Sequence, residues 1–281
     1  MRYTQEINFH FTLYFNSFNF VSFMTYRYFL KIAYDGSHFC GWQMQPNALT
    51  VQQKLQETMQ LFCNLHGDTL GCGRTDTGVH AKEFFLHFDC ESAIENHDEF
   101  IYKLNRVLPE SIAVYELYKV GQEAHCRFDA LSRTYEYHIQ QAKNPFIKNA
   151  WYNSATLNLK AMVEGCQLLM QYEDFTSFSK SNTQVFTNNC AIFEAYWEQK
   201  EDLLVFTIKA NRFLRNMVRA IVGSLIDLGK EKYNLEHFKT IIESKNRSNA
   251  GVSVPAQGLY LSQVSYPEYY FDHQEKLFKQ D

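Results

Sequence analysis

The first patterned stretch of the chain, Tyr26-Arg-Tyr-Phe-Leu-Lys-Ile-Ala-Tyr34, is rich in β-forming residues and stops at the turn pair Asp35-Gly36, which predicts a strand. The period then changes. Val51, Leu55, Met59 and Phe62 recur at three-to-four spacing behind Thr50, a residue suited to an N-cap, so a helix follows. A glycine-punctuated loop from Gly71 to Gly78 leads to Glu83–Asp89, where Phe84, Leu86 and Phe88 mark one face of a strand. A second helix is predicted over Asp98–Val107, stopping at Leu108-Pro109, and a strand over Ala113–Tyr118.

The order then repeats. Leu131–Ile139 reads as a strand, Leu157–Tyr172 as a helix, and Cys190–Gln199 pairs with Leu203–Asn211 through a turn near Glu201-Asp202. Phe213–Leu228 is a strongly periodic helix with Gly229 just past it as a C-cap, and a short helix over Leu235–Ser244 and a strand over Leu259–Val264 close the pattern. Two similar successions predict an α+β fold in two halves, 24–125 and 126–281, each a sheet covered by helices, with a cleft between them. Residues 1–23 stand apart. Their only charges are Arg2 and Glu6, and Asn8, Asn16 and Asn19 break the uninterrupted apolar run that a signal peptide needs. They read as an upstream extension, with Met24 as the initiating residue.

Composition narrows the class. With 281 residues, 46% hydrophobic and 21% charged, the chain excludes intrinsic disorder, and no apolar run near 18 residues marks a membrane span. Seven scattered cysteines without a C-x-x-C pair argue against a disulfide framework or a zinc site, and fit a reducing cytoplasm. A formal net charge of -4, from 27 Lys plus Arg against 31 Asp plus Glu, argues on average against a polyanion partner. The distribution reverses that reading. Between Leu203 and Lys230 five bases (Lys209, Arg212, Arg215, Arg219, Lys230) face one acid, Asp227, while acids dominate 91–123. At about 100° per residue Arg212, Arg215 and Arg219 fall on one side of the predicted helix, beside the apolar stripe of Phe213, Leu214, Met217, Val218 and Ile221. Such a ridge suits phosphates; a solvated helix face is its plainer reading.

The stretch Gly71-Cys-Gly-Arg-Thr-Asp-Thr-Gly-Val-His-Ala81 carries the chemistry. A phosphate-binding loop needs Gly-Lys-Ser/Thr, and a dinucleotide fingerprint needs a third glycine where Asp76 stands, so both fail. Asp76-Thr-Gly78 is the tripeptide of aspartic proteases, but a protease dyad needs a second such carboxylate and the chain has no second Asp-Thr-Gly or Asp-Ser-Gly. What remains is a single carboxylate acting as nucleophile or base, or an Asp that only caps a turn. Arg127 and Arg133-Thr-Tyr-Glu-Tyr137 add a third element: on a strand, Arg133, Tyr135 and Tyr137 share a face, which could stack a base and meet a phosphate, or form an aromatic ladder.

Together these blocks resemble the TruA-type tRNA pseudouridine synthases. The resemblance is carried by Tyr28–Gly36 with Gly41-Trp-Gln43, Thr50-Val-Gln52, Gly73-Arg-Thr-Asp-Thr-Gly-Val-His-Ala81, Asn105 with Leu108-Pro109, Arg133–Tyr137, Asp174-Phe-Thr-Ser-Phe178, Phe213–Arg219 and Pro255-Ala-Gln-Gly-Leu-Tyr-Leu261. Thr77 and Val254 stand where the family more often has Ala, and residues 1–23 have no counterpart. The resemblance implies two RRM-like halves around a basic cleft, a homodimer that a tRNA bridges, and conversion of uridine to pseudouridine at tRNA positions 38 to 40. It implies neither metal nor organic cofactor. It assigns Asp76 as catalytic carboxylate, Arg219 as its ion-pair partner and Tyr135 as the ring that stacks on the flipped uracil and helps remove the C5 proton. Arg74 would contact RNA or fill the space of the extruded nucleotide, with Arg127, Arg133, Arg212 and Arg215 meeting phosphates. Attack on C1′ and abstraction of the 2′-proton both stay open, as does a non-catalytic RNA-binding protein with the same surface.

Overall fold

The computed structural model describes residues 25–180 and 186–271; the extension over 1–23 and Met24 lie outside them. In the first half the elements are β1 (Tyr26–Tyr34), α1 (Val51–Met59), β2 (Leu65–Gly71), β3 (His80–Cys90), α2 (His97–Val107) and β4 (Ile112–Val120). The second half holds β5 (Ser132–Gln140), β6 (Trp151–Tyr152), α3 (Leu159–Leu169), β7 (Ile192–Lys200), β8 (Leu203–Ala210), α4 (Met217–Gly229), α5 (Leu235–Glu243) and β9 (Leu259–Ser265). Helix starts follow their caps: the side chains of Thr50, Asn96, Asn158 and Asn234 accept the N–H of Gln53, Glu99, Ala161 and His237.

All the strands join one mixed sheet of order β4-β1-β3-β9-β5-β8-β7, with β2 on β3 and β6 on β5. This α+β architecture has two cores. In the first, Tyr28, Leu30 and Ile32 of β1 pair in register with Phe88, Leu86 and Phe84 of β3 and pack with Val51, Leu55, Phe100 and Leu104 of α1 and α2. In the second, Tyr137, Ile139, Phe206 and Ile208 pack with Met162, Cys166, Ile221, Leu225, Phe238 and Ile241. Burial of each large side chain contributes about 1.5–3 kcal/mol.

The last strand is shared. Although it ends the second half, β9 runs parallel to the start of β3 and antiparallel to β5, and Leu261 and Val264 sit in the first core while Leu259 sits in the second. Its register places Ala81, Leu261 and Tyr135 side by side on three neighbouring strands. The loop that ends at His80 is thereby brought within about 10 Å of Tyr135, two strand spacings away.

The two expected sheets are joined into one through β9, the short strand β6 is not among the expected strands, and two further elements depart from the sequence pattern. Leu65–Gly71 pairs with β3 as a strand, although only Thr69 in it is buried and its register breaks between His66 and Leu70. The helix expected from Phe213 begins only at Met217. Asn216 takes a left-handed φ of +65, and Met217 N–H bonds the Leu214 carbonyl to close a turn. Gly229 lies inside α4, and Lys230 takes the C-cap place expected of it. Arg212 and Arg215 therefore precede the helix, and the predicted three-arginine face of one helix does not exist.

Candidate active site

The loop between β2 and β3 carries Asp76, and its conformation is fixed by contacts to chain segments distant in sequence. Cys72 N–H bonds the Phe85 carbonyl at 2.7 Å, Trp42 N–H the Thr75 carbonyl at 3.3 Å and Gly78 N–H the Phe39 carbonyl at 3.3 Å. The buried Thr75 hydroxyl meets the Tyr34 hydroxyl at 2.9 Å. Gly41 makes this packing possible. Its φ is +84, and a Cβ there would stand 2.4 Å from the Thr75 carbonyl oxygen. With Thr75 turned inward, Asp76 is left partly exposed, its side chain at 31%.

Two guanidinium groups face that carboxylate. Arg219 Nη1 lies 3.4 Å from Oδ2, and Arg215 Nε lies 3.9 Å from Oδ1. Arg219 is itself held: its Nε donates to the Val254 carbonyl at 2.7 Å, and Val254 N–H returns a bond to the Arg219 carbonyl. The backbone of residue 254 makes both bonds, so they do not depend on the Val254 side chain. The left-handed turn at Asn216, tied to the Ser253 hydroxyl, brings Arg215 to the same carboxylate that Arg219 reaches from the first turn of α4. Two of the three expected arginines thus converge on Asp76 through a break in the helix.

Tyr135 completes this group. Its ring meets Phe213 edge-on, at 5.0 Å and 85°. Burial, with smaller contributions from Cys72 and then Asp76 against an opposing one from Arg133, raises its hydroxyl pKa above the ordinary phenol value. Tyr137, on the same strand, is fully buried in the second core and its hydroxyl donates to the Pro255 carbonyl.

The remaining arginines form a second group. Burial first, then the charges of Arg74, Arg133 and Arg212, lower the pKa of Arg127, so four guanidinia lie within electrostatic reach of one another. Arg74 and Arg127 are exposed and Arg212 half-buried. Arg133 was expected to meet a phosphate, yet its guanidinium donates to four backbone carbonyls, those of Cys72, Arg127, Ala130 and Asn211. It ties the root of the Asp76 loop to the connection before β5 and to the segment that carries Arg212 and Arg215. Sequence reading included Gly41, Tyr34, Thr75 and Val254 in or beside its motif blocks but missed what they do: the close packing at Gly41, the Tyr34–Thr75 pair and the Val254 backbone bonds to Arg219. Among the described residues no group of three or more His, Cys, Asp or Glu side chains could hold a metal ion, and no helix is long and apolar enough to cross a membrane.

A carboxylate oriented by two cations, beside an aromatic ring and an arginine group, is suited to covalent or proton-transfer chemistry on an anionic substrate with planar rings. The class follows from comparison with known proteins: residues 31–129 and 166–267 match the model of a family described as tRNA pseudouridine synthase, a class of RNA-modifying isomerases. Similar chains named tRNA pseudouridine synthase A occur in Parabacteroides distasonis, 48% identical over 87% of this chain and 98% of the relative, and in Bacteroides fragilis, 46% identical over 88% and 98%. One from Clostridium acetobutylicum is 38% identical over 84% of this chain and 98% of its own length. The chain belongs to the tRNA pseudouridine synthase family.

Proposed function

We propose that this protein isomerises uridine to pseudouridine at positions 38, 39 and 40 of the tRNA anticodon stem-loop, with Asp76 as its catalytic carboxylate. The observation that carries the reading is the carboxylate itself, set on an anchored loop with Arg219 and Arg215 within 4 Å. The reaction breaks the N1–C1′ bond and forms a C5–C1′ bond; the C5 proton leaves and N1 takes one up, so no redox partner is consumed. Asp76 acts at the sugar, either on C1′ or on the 2′-proton, and Arg219 orients it.

A uridine in a stem must leave the stack to reach Asp76, at a cost of a few kcal/mol. Tyr135 offsets part of that cost by stacking on the uracil. Its hydroxyl is also the group that helps remove the C5 proton. Arg74, Arg127 and Arg212 meet the RNA, and Arg133 acts through the loop it ties down. The protein works in the cytoplasm as a homodimer around two RRM-like halves, the tRNA lying in the basic cleft and bridging both copies, and needs no cofactor.

The test uses an unmodified tRNA transcript with wild-type protein and Asp76→Asn. Wild-type conversion with an Asp76→Asn protein that binds but does not convert supports the proposal. Full turnover by Asp76→Asn would remove Asp76 from the chemistry, and binding without conversion by the wild type would favour a non-catalytic RNA-binding protein.

A further inference from the structure

We propose that Phe128 is a stacking platform for an unpaired nucleobase of the substrate RNA, next to the uridine that enters the Asp76 site. This subsite rests on the tRNA reading above. Phe128 is 73% exposed, although it sits in a turn closed by several hydrogen bonds. Its N–H bonds the His125 carbonyl at 3.1 Å, and the Asp129 N–H bonds the same carbonyl at 3.0 Å. The Asp129 carboxylate accepts the His125 N–H at 2.6 Å and also the Tyr270 hydroxyl. Between them, Cys126 is buried, with its N–H on His87 Nδ1 and its carbonyl on the Tyr266 hydroxyl. A side chain exposed on so constrained a backbone loses little further freedom when it is covered, which favours it as a binding surface.

The ring stands beside a second ring and a cation, with most of the residue open to solvent. It lies against the His125 ring at 4.2 Å, tilted by 36°, and the Arg127 guanidinium stands 5.7 Å from its centroid. Arg74, Arg133 and Arg212 add their charges around Arg127. A ring left 73% exposed among guanidinium groups matches a base joined to phosphates, the recognition chemistry of single-stranded nucleic acid.

Two ties locate the occupant relative to the chemistry. Cys126 Sγ meets the Leu70 carbonyl at 3.0 Å, and the Arg133 guanidinium bridges the carbonyls of Arg127 and Cys72. The platform is therefore fastened to the root of the loop that bears Asp76. A base stacked on Phe128 belongs to a nucleotide near the target, unpaired because a base inside a duplex offers no free face.

The experiment compares full-length wild type with Phe128→Ala, Phe128→Leu and Phe128→Trp. Each is assayed for turnover on an unmodified tRNA transcript and for binding to an anticodon stem-loop with 2-aminopurine at each loop position in turn. Loss of one stacked base weakens binding about tenfold, so Phe128→Ala raises KM and Kd by that factor and lowers kcat far less. Phe128→Trp restores wild-type values and Phe128→Leu does not. The fluorescence change of one labelled position on binding disappears in Phe128→Ala and Phe128→Leu and persists in Phe128→Trp.

Unchanged KM and Kd in Phe128→Ala, or full rescue by Leu, would overturn the proposal. So would a sedimentation coefficient that shifts in Phe128→Ala, because the ring would then be covered by a second copy of the chain. Failure of the tRNA reading shows differently: the wild type would convert no uridine in any tRNA, while the fluorescence arm would still report whether Phe128 stacks a base.

Discussion

Replacing Gly41 by Ala tests whether the position of the catalytic loop, and not only its residues, sets the rate. Gly41 has φ +84, where an L side chain costs about 1–2 kcal/mol. The added Cβ would also stand 2.4 Å from the Thr75 carbonyl oxygen and 3.2 Å from the Asp76 carbonyl carbon. Both are backbone atoms and cannot rotate away. Bringing the closer contact out to about 3.2 Å requires the Thr75 peptide to retreat by about 0.8 Å. That peptide joins Thr75 to Asp76, and the Thr75 side chain is held by the Tyr34 hydroxyl, so the carboxylate moves with the peptide. A misplacement near 1 Å costs about 10²-fold in rate, and Gly41→Ala is expected to lower kcat by that factor.

The loop displacement separates from the backbone penalty by a matched control. Gly67 has φ +78, and a Cβ there meets nothing within 4 Å. Gly67→Ala therefore carries the same conformational cost without pressing on the loop, and is expected to keep kcat within about twofold of wild type. The assay is release of tritium from tRNA carrying 5-tritiated uridine under single-turnover conditions, with tRNA affinity and melting temperature measured in parallel. A folded Gly41→Ala protein that turns over within about threefold of wild type would refute the argument that this glycine sets the geometry of Asp76.

Two further expectations concern stability. His87 is buried, its Nδ1 accepts the Cys126 N–H, and burial pushes its pKa from 6.5 down to about 4, helped by the nearby charges of His125 and Arg27. The unfolded chain then binds more protons between these values, so stability is lost as pH falls from 6.5 to 4, by about 3 kcal/mol in all. Urea unfolding of wild type and His87→Gln across that window should show the difference; parallel pH profiles would disprove it. Arg133→Lys keeps the charge, but one ammonium cannot span carbonyls on Cys72, Arg127, Ala130 and Asn211. It should cost about 2–4 kcal/mol in urea unfolding, and a loss below about 0.5 kcal/mol would show the four bonds to be dispensable.

Sequence periodicity reaches as far as a segment's own side chains decide its structure. Strand β1 and helices α1 and α2 are legible because each buries a regular apolar face, and the β7–β8 hairpin because its two strands flank a short turn. Strand β2 is not. Leu65-His-Gly-Asp-Thr-Leu-Gly71 buries one side chain and exists because β3 offers it a free edge. The start of α4 misleads for the opposite reason: Phe213 and Leu214 continue the apolar phase of the helix while Asn216 breaks its backbone. The site shows the same limit. An Asp in a glycine-bounded loop and a basic segment are each visible alone, but Asp76 and Arg219 lie 143 residues apart, and only the family resemblance pairs them. What joins them is the strand order, since β9 inserts between β3 and β5 and draws the end of the Asp76 loop toward Tyr135. A charge pattern likewise reveals where cations are and not what they bind: on one strand, Arg133 is spent on carbonyls, while Tyr135 two residues on lies within electrostatic reach of Asp76. The net charge of -4 is thus no guide to the partner, because the surface around Arg127 is set by which arginines the backbone leaves free.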